Sequence, residues 1–297
     1  MTATAATASA FRHVGGLEVL AWPALDPFGV DALVTTRWGG VSQGPYSTLN
    51  LSMNVGDEAA SVLENRRRVA AALGAGAGDF VFADQVHGSQ ARVVSASDRG
   101  SGAFGPADAV SGTDALVTAD PGIVLAVMAA DCAPIVLYDP RRHVVACVHA
   151  GWRGSLARVA ASAVAAMRSL GTRPENVIAC LGPVIAPDRY QVGAEVAEAA
   201  GRCFGDRAGE VIRPDRRDGP GGASGSRWLF DVWAANRLVL RDAGVPGGQI
   251  HATDVPTGAT RGVHDGAGWF FSDRAERPCG RFAAVARLRP RRLREAG

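Results

Sequence analysis

Residues 123–154 read IVLAVMAADCAPIVLYDPRRHVVACVHAGWRG, and the pattern of this stretch decides the fold. Ile123–Met128, Ile135–Tyr138 and Val144–His149 are short, nearly continuous apolar runs rich in β-branched residues. Such runs suit strands covered on both faces, so the centre of the chain predicts a buried sheet. The turn sequence Asp139-Pro140-Arg141-Arg142 joins the last two runs as a hairpin.

Helical spacing flanks this centre. Ser155 to Leu170 places Leu156, Val159, Ala160, Ala163, Met167 and Leu170 on one stripe, with Gly171 as the terminating cap. Asp231 to Ala243 carries Val232, Ala235 and Val239 on one face and stops at Gly244. Glu58 to Leu73 predicts a third helix, with Val62, Val69 and Leu73 inward and Arg66 to Arg68 solvated. Strands and helices mix without a regular βαβ alternation, and no G-x-G-x-x-G follows a strand. The class is α/β, and a dinucleotide-binding Rossmann fold is disfavoured.

The chain has 297 residues, 47% hydrophobic and 20% charged, which is an ordinary globular composition. A unit of this size buries roughly 75% of its unfolded surface and needs no covalent staples. We expect one domain over residues 11–289, with tails at 1–10 and 290–297. The Gly-, Arg- and Asp-rich stretch Arg213 to Ser226 has no apolar anchor and reads as a long mobile surface loop. The net charge of +2 argues against a general polyanion binder. All 31 basic residues are Arg, so a Schiff-base lysine and a Walker-type phosphate loop are excluded. Five scattered cysteines, never in a CxxC pair, form no disulfide framework and point to a reducing cytoplasm. The opening MTATAATASA lacks the basic and apolar regions of a signal peptide, and no apolar run reaches the ~20 residues of a membrane span. The basic segment Arg287 to Arg294 has no interleaved aromatic residue, so no nucleic-acid partner is expected.

Three polar interruptions of apolar stretches carry the candidate chemistry. They are the segments around Asp84 to Gly88, Asp131 to Pro134 and His149 to Gly154. In the third, His149 closes a strand, and Gly151 and Gly154 allow close backbone approach. A helix beginning near Ser155 would aim its free N–H groups at this spot, and Arg153 adds a bidentate donor. The segment is therefore a candidate anion site; the simpler alternative is a strand-to-helix turn with a solvated arginine. Cys132 and His149 could form a thiolate–imidazole pair. Adding His87 gives two nitrogens and one sulfur, a set that leaves zinc's fourth tetrahedral position open. The three lie far apart in sequence and match no local metal motif, and a lone Cys is more often inert core. Asp131 beside Cys132 either orients a ligand histidine or serves as a general base. Cys147, Cys180 and Cys203 read as core, His143 sits in a turn, and His13, His251 and His264 lie in expected loops.

In this order, the segments resemble the YfiH family, the laccase-like or multicopper polyphenol oxidoreductase domain proteins, from about Asp31 to Leu288. The resemblance rests on Thr35-Thr36-Arg37-Trp38-Gly39-Gly40-Val41-Ser42-Gln43-Gly44, Leu49-Asn50-Leu51 with Gly56-Asp57, and Glu64-Asn65-Arg66. It continues through Gln85-Val86-His87-Gly88, Asp114-Ala115-Leu116-Val117-Thr118, Ala130-Asp131-Cys132-Ala133-Pro134 and His149 to Gly154. It ends with Gly182-Pro183, Tyr190-Gln191-Val192-Gly193, Phe270-Phe271-Ser272 and Gly280-Arg281.

The resemblance implies two packed mixed β-sheets flanked by helices, an α/β/β/α arrangement shared with the cytotoxic necrotizing factor domain. It also implies that His87, Cys132 and His149 are the metal-binding and catalytic trio, with zinc expected and copper as the alternative. Members are described as purine nucleoside phosphorylases acting on adenosine, inosine, guanosine or methylthioadenosine with phosphate, and also as adenosine deaminases. Arg37, Gln85 and Arg153 are the expected substrate-binding residues, and Asp131 joins the trio as a candidate catalytic group. Some bacterial relatives are instead assigned an editing role in peptidoglycan precursor synthesis. The chain departs from the family at Pro256-Thr257, where Cys-Thr is usual, at Asp273-Arg274-Ala275 in place of Tyr-Arg-Arg, and at Gln191 in place of Glu. Two further readings remain: a metal-free hydrolase with Cys132 as nucleophile and His149 as base, and a non-enzymatic cell-division or envelope partner.

Overall fold

The computed structural model describes residues 8–216, 227–258 and 268–290. The first strands are β1 (Ala10–Val14), β2 (Leu17–Ala21) and β3 (Val30–Thr35), followed by helix α1 (Ala59–Ala72). Next come β4 (Phe80–Phe82), β5 (Ala91–Val93), β6 (Ala115–Thr118) and β7 (Val124–Ala129). The central hairpin is β8 (Ala133–Asp139) and β9 (Val144–Ala150), leading into α2 (Trp152–Leu156) and α3 (Val159–Ser169). Beyond it lie β10 (Ile178–Leu181), β11 (Gln191–Val192), α4 (Ala194–Phe204), β12 (Ile212–Pro214) and β13 (Trp228–Phe230). The chain closes with α5 (Val232–Asp242), β14 (Ile250–Ala252) and β15 (Phe282–Leu288).

Two six-stranded sheets dominate, ordered β1-β2-β3-β15-β7-β4 and β14-β10-β8-β9-β6-β5, and β11-β13-β12 form a small third sheet. Both large sheets mix parallel and antiparallel pairs. Strand alternation sorts the apolar residues into three layers. Val136, Tyr138, Val145 and Cys147 of the hairpin meet Leu125, Val127, Phe282 and Ala284 of the first sheet in a layer between the sheets. Their neighbours Ile135, Leu137, Ala146 and Val148 face the other way, against Val159, Ala163, Met167 and Val239 of the helices. On the far side of the first sheet, Val69 and Ala70 of α1 cover Val124, Ala126 and Val285. This is the α/β/β/α arrangement.

The hairpin forms at the expected turn, with Tyr138 opposite Val145. The α1 and α5 spans match their spacing, and Asp231 caps α5 by accepting from the Ala234 N–H at 2.9 Å. Five expectations need correction. The predicted helix 155–170 is two helices, because Arg158 adopts a left-handed φ of 64° between them. Asn236 donates to Ser155 Oγ at 2.8 Å and Arg158 pairs with Asp242 at 3.0 Å, so α5 contacts both α2 and the break itself. Arg66 is buried rather than solvated, donating to the carbonyls of Leu51, Gly102 and Ala103 with its guanidinium over the Phe82 ring.

The expected loop at 213–226 begins inside β12, which pairs with β13, and residues 217–226 lie outside those described. The expected N-terminal tail is also partly built in: Ala10 opens β1, and Ser9 donates to Thr253 Oγ1. Within the expected domain, Arg287 and Arg289 of the basic 287–294 segment are held, Arg287 by Asp31 and Arg289 by donation to the Phe28 carbonyl. Residues 1–7 and 291–297 lie outside the described residues. His13 and His251, expected in loops, are in β1 and β14, and His264 lies outside the described residues.

Candidate active site

The first sheet hands the chain to the second at Ala130-Asp131-Cys132, between β7 and β8. Cys132 therefore sits on a strap between the sheets. In β9, alternation sets His149 on the same side as Val145 and Cys147, at the rim of the inter-sheet layer. His87 comes from the loop after β4, in a left-handed conformation with φ 60°. The three ligand atoms of His87, Cys132 and His149 all lie within 4.8 Å of one another. The two imidazoles meet edge-on, with centroids 4.8 Å apart at 81°.

Asp114, at the head of β6, organises this cluster and is fully buried. Its carboxylate accepts from His149 Nδ1 at 2.8 Å and from the backbone N–H groups of Val86, His87 and Gly88 at 3.2, 3.0 and 2.7 Å. One side chain thus fixes the ring of one histidine and the backbone of the other. Burial works to raise the Asp114 pKa, but the hydrogen bonds from His149 and the backbone hold it below the ordinary carboxylate range. With Nδ1 engaged, His149 presents Nε2 to the cleft.

The electrostatics favour an ionised pair. Burial would raise the Cys132 thiol, yet the charge and hydrogen bond of His149, with His87 adding, bring it down to about 6. Burial would likewise lower His149, but the charge of Cys132 and the bond to Asp114 raise it to about 9. At neutral pH the pair is thiolate and imidazolium. Gly151 is required by packing: a Cβ there would stand 2.9 Å from Cys132 Sγ and 3.0 Å from His87 Cδ2. Cys147 and Cys180 are fully buried, and burial pushes their thiols far up.

The cluster opens into a cleft of about 450 Å³, walled by Arg153, Arg274, Arg277 and Arg281. Asp273 pairs with Arg277 and with Arg281, partly neutralising both. Arg153 lies over the Trp152 ring at 4.4 Å, and Arg274 lies over Tyr190 at 5.4 Å. Neither Arg153 nor Arg274 pairs with a carboxylate among the described residues, so the cleft keeps two uncompensated guanidiniums. A larger hollow of about 550 Å³ against Trp22, Leu25 and Ala72 contains no histidine or cysteine. The chemistry belongs to the smaller cleft.

The other expected site residues separate here. Arg153 is on the cleft wall, although α2 starts at Trp152 and runs for only five residues. Arg37 is not on that wall: its guanidinium grips both Glu276 oxygens at 2.9 and 3.0 Å and the Ser47 carbonyl at 3.0 Å. Gln85 spends its amide on the N–H and C=O of Met128, both at 2.8 Å, and so ties the His87 loop to β7. Both are framework residues by geometry.

Asp131 lines the cleft with a left-handed φ of 90°. Its carboxylate accepts from Thr257 Oγ1 at 2.5 Å, Ser272 Oγ at 2.7 Å and the Arg274 N–H at 2.7 Å. It therefore orients the Arg274 segment, and orientation of His149 falls to Asp114. Asp114, first residue of the Asp114–Thr118 stretch, is a site residue that the sequence reading does not single out. Its signal is a carboxylate at the head of an apolar strand, which is costly to bury without partners.

Two imidazoles and a thiolate are a donor set suited to a soft divalent metal. Tetrahedral zinc needs donors roughly 3.3–3.8 Å apart for bonds of about 2.0–2.3 Å. The three donor atoms lie within 4.8 Å of one another and His87 is exposed and free to turn, so the donor set fits such an ion.

Fold and site together define a two-sheet α/β protein whose arginine-walled cleft holds a His/Cys/His cluster braced by a buried aspartate. The profile of the multi-copper polyphenol oxidoreductase laccase family matches residues 31–289, and the chain belongs to that family. It is 42% identical over 230 residues to a purine nucleoside phosphorylase of Deinococcus radiodurans, covering 77% of this chain and 80% of that one. It is 38% identical over 222 residues to adenosine deaminase RL5 from an unknown prokaryotic organism, covering 75% and 82%. The crystal structure of the hypothetical protein YfiH from Bacillus licheniformis superposes with a TM-score of 0.84 at 32% identity, covering 94% of this chain and 99% of that one.

Proposed function

We propose that this chain is a purine nucleoside phosphorylase that also deaminates adenosine, the two activities named for its relatives. The observation that carries the reading is one cleft in which two uncompensated guanidiniums share the wall with the His87, Cys132 and His149 cluster. Planar guanidiniums recognise phosphate bidentately, so Arg153 and Arg274 hold the phosphate nucleophile. A phosphate oxygen then attacks the ribose C1′ as the base departs. For deamination the purine C6 stands at the cluster; Asp131, whose two oxygens already accept three hydrogen bonds, positions the Arg274 segment rather than carrying the proton expected of it. His87, Cys132 and Nε2 of His149 would hold zinc, which supplies Lewis-acid chemistry when bound. Adenosine, inosine, guanosine and methylthioadenosine are the substrates to test, and the cytoplasm, which suits five free cysteines, is the assigned location.

The test is to incubate the protein with adenosine and phosphate and to assay adenine, ribose-1-phosphate and inosine. Adenine with ribose-1-phosphate supports phosphorolysis, and inosine supports deamination; no product with metal bound overturns the reading. Multi-copper chemistry is disfavoured because His87, Cys132 and His149 are the one metal-ligating cluster among the described residues.

One observation favours a second reading. Cys132, His149 and Asp114 form the nucleophile, base and orienting carboxylate of a thiol hydrolase, which could act on a cell-wall precursor. Stoichiometric zinc lost on Cys132→Ala would count against it.

A further inference from the structure

Tyr190 lines the same cleft and is used by neither reading above. Its ring is held from two sides, by Phe230 at 6.2 Å and 63° and by the Arg274 guanidinium. Arg274 is itself pinned, through its guanidinium to the Gln191 carbonyl and through its backbone N–H to Asp131. The Tyr190 backbone donates to the Ala186 carbonyl and accepts from the Phe230 N–H, both at 3.1 Å. The ring is fixed before any ligand arrives. Its hydroxyl makes no hydrogen bond to another described residue, and the side chain is half-buried in the cleft wall. Burial, with the negative charges of Cys132 and Asp131 adding, pushes the phenol up, so it stays protonated through the working pH range.

We propose that the Tyr190 hydroxyl donates a hydrogen bond to N7 of the purine and so sets the preference for the leaving base. This rests on the phosphorylase reading. With C6 at the His/Cys/His cluster, N7 is separated from C6 by a single ring atom, and Tyr190 shares the cleft wall with Cys132. In phosphorolysis an oxygen of hydrogen phosphate bonds to C1′ and the C1′–N9 bond breaks. Its electron pair enters the purine, where N9 and N7 share the charge. A fixed donor at N7 strengthens as that charge grows, which lowers the barrier. The proton carried by the phosphate ends on the released base, and Tyr190 keeps its own.

Tyr190→Phe removes the hydroxyl and keeps the ring between Phe230 and Arg274. The measurement is kcat/KM for inosine and for 7-methylguanosine, whose methylated N7 accepts no hydrogen bond. The inosine to 7-methylguanosine ratio is expected to fall by at least about tenfold in the variant, the size of one lost hydrogen bond, with an unchanged melting temperature. Equal losses on the two substrates, or no loss, overturn the assignment of Tyr190. A parental protein that cleaves neither substrate overturns the phosphorylase reading itself, so the two failures are distinguishable.

Discussion

His149 donates from Nδ1 to Asp114 Oδ1 at 2.8 Å, and the same carboxylate anchors the backbone of residues 86–88 that carries His87. Asp114→Asn keeps the shape but offers one acceptor oxygen in place of two. Loss of such a brace typically costs 10–100-fold in metal affinity or activity, so we expect zinc affinity to fall by about that factor. Chelator competition measures it. An unchanged affinity would show that Asp114 braces the fold alone.

Gly151→Ala places a methyl group against both Cys132 and His87. Misplacement of reacting groups by about 1 Å can cost on the order of 100-fold in rate. The expected outcome is that loss of activity with near-parental thermal stability, read by steady-state kinetics beside a melting curve.

Arg153 and Arg37, the one on the cleft wall and the other in the framework, should behave differently. Arg153→Ala is expected to raise the KM for phosphate with little change in melting temperature. Arg37→Ala leaves Glu276 and the Ser47 carbonyl without their partner, so it should lower the melting temperature and leave the phosphate KM near parental. A phosphate KM that rises more for Arg37→Ala would reverse the assignment.

The ionised pair predicts a pH signature in metal-free protein. Cys132 has a depressed pKa, so its thiolate persists as pH falls until about 6. Free thiols titrate near 8.5. Alkylation of Cys132 by iodoacetamide, followed by peptide mass spectrometry, should therefore rise with a midpoint near pH 6, and the midpoint should move up in His149→Ala. The sign for stability follows from the same shifts. The Cys132 contribution fades as pH falls through about 6, and that of His149 fades as pH rises through about 9, leaving the pair strongest between them.

Phe282 is fully buried in the layer between the sheets, against Phe270 at 5.1 Å. Phe282→Ala should cost about 3–5 kcal/mol of unfolding free energy, measured by urea titration.

Much of the fold was legible because it is local. The runs around Leu125, Val136 and Val145 announce strands by composition, and Gly171 and Gly244 mark helix ends. What escaped the sequence is decided by distant partners. Arg66 sits in a helix beside two other arginines, and it is the distant carbonyls of Leu51, Gly102 and Ala103 and the Phe82 ring that draw it inward. The stripe through Ser155 to Leu170 carries no sign of the break at Arg158, where Asn236 and Asp242 of another helix meet Ser155 and Arg158. The trio itself was visible as three interruptions of apolar runs and as a family pattern. Which carboxylate serves it was not, since Asp131 adjoins Cys132 in sequence while Asp114 reaches His149 in space.

The passage of the chain from one sheet to the other at Asp131-Cys132 has a mechanical consequence. His149 is carried by the second sheet, while Cys132 and His87 each sit on a segment that crosses from the first sheet to the second, the β7–β8 strap and the β4–β5 loop. An ion gripped by all three would act as a rivet through the two layers. Anything that binds the folded state alone stabilises it by mass action, adding about 2.7 kcal/mol at a hundredfold excess over its Kd. Heat or strain that shears one layer against the other would then release the ion before the layers themselves melt, so inactivation should precede unfolding.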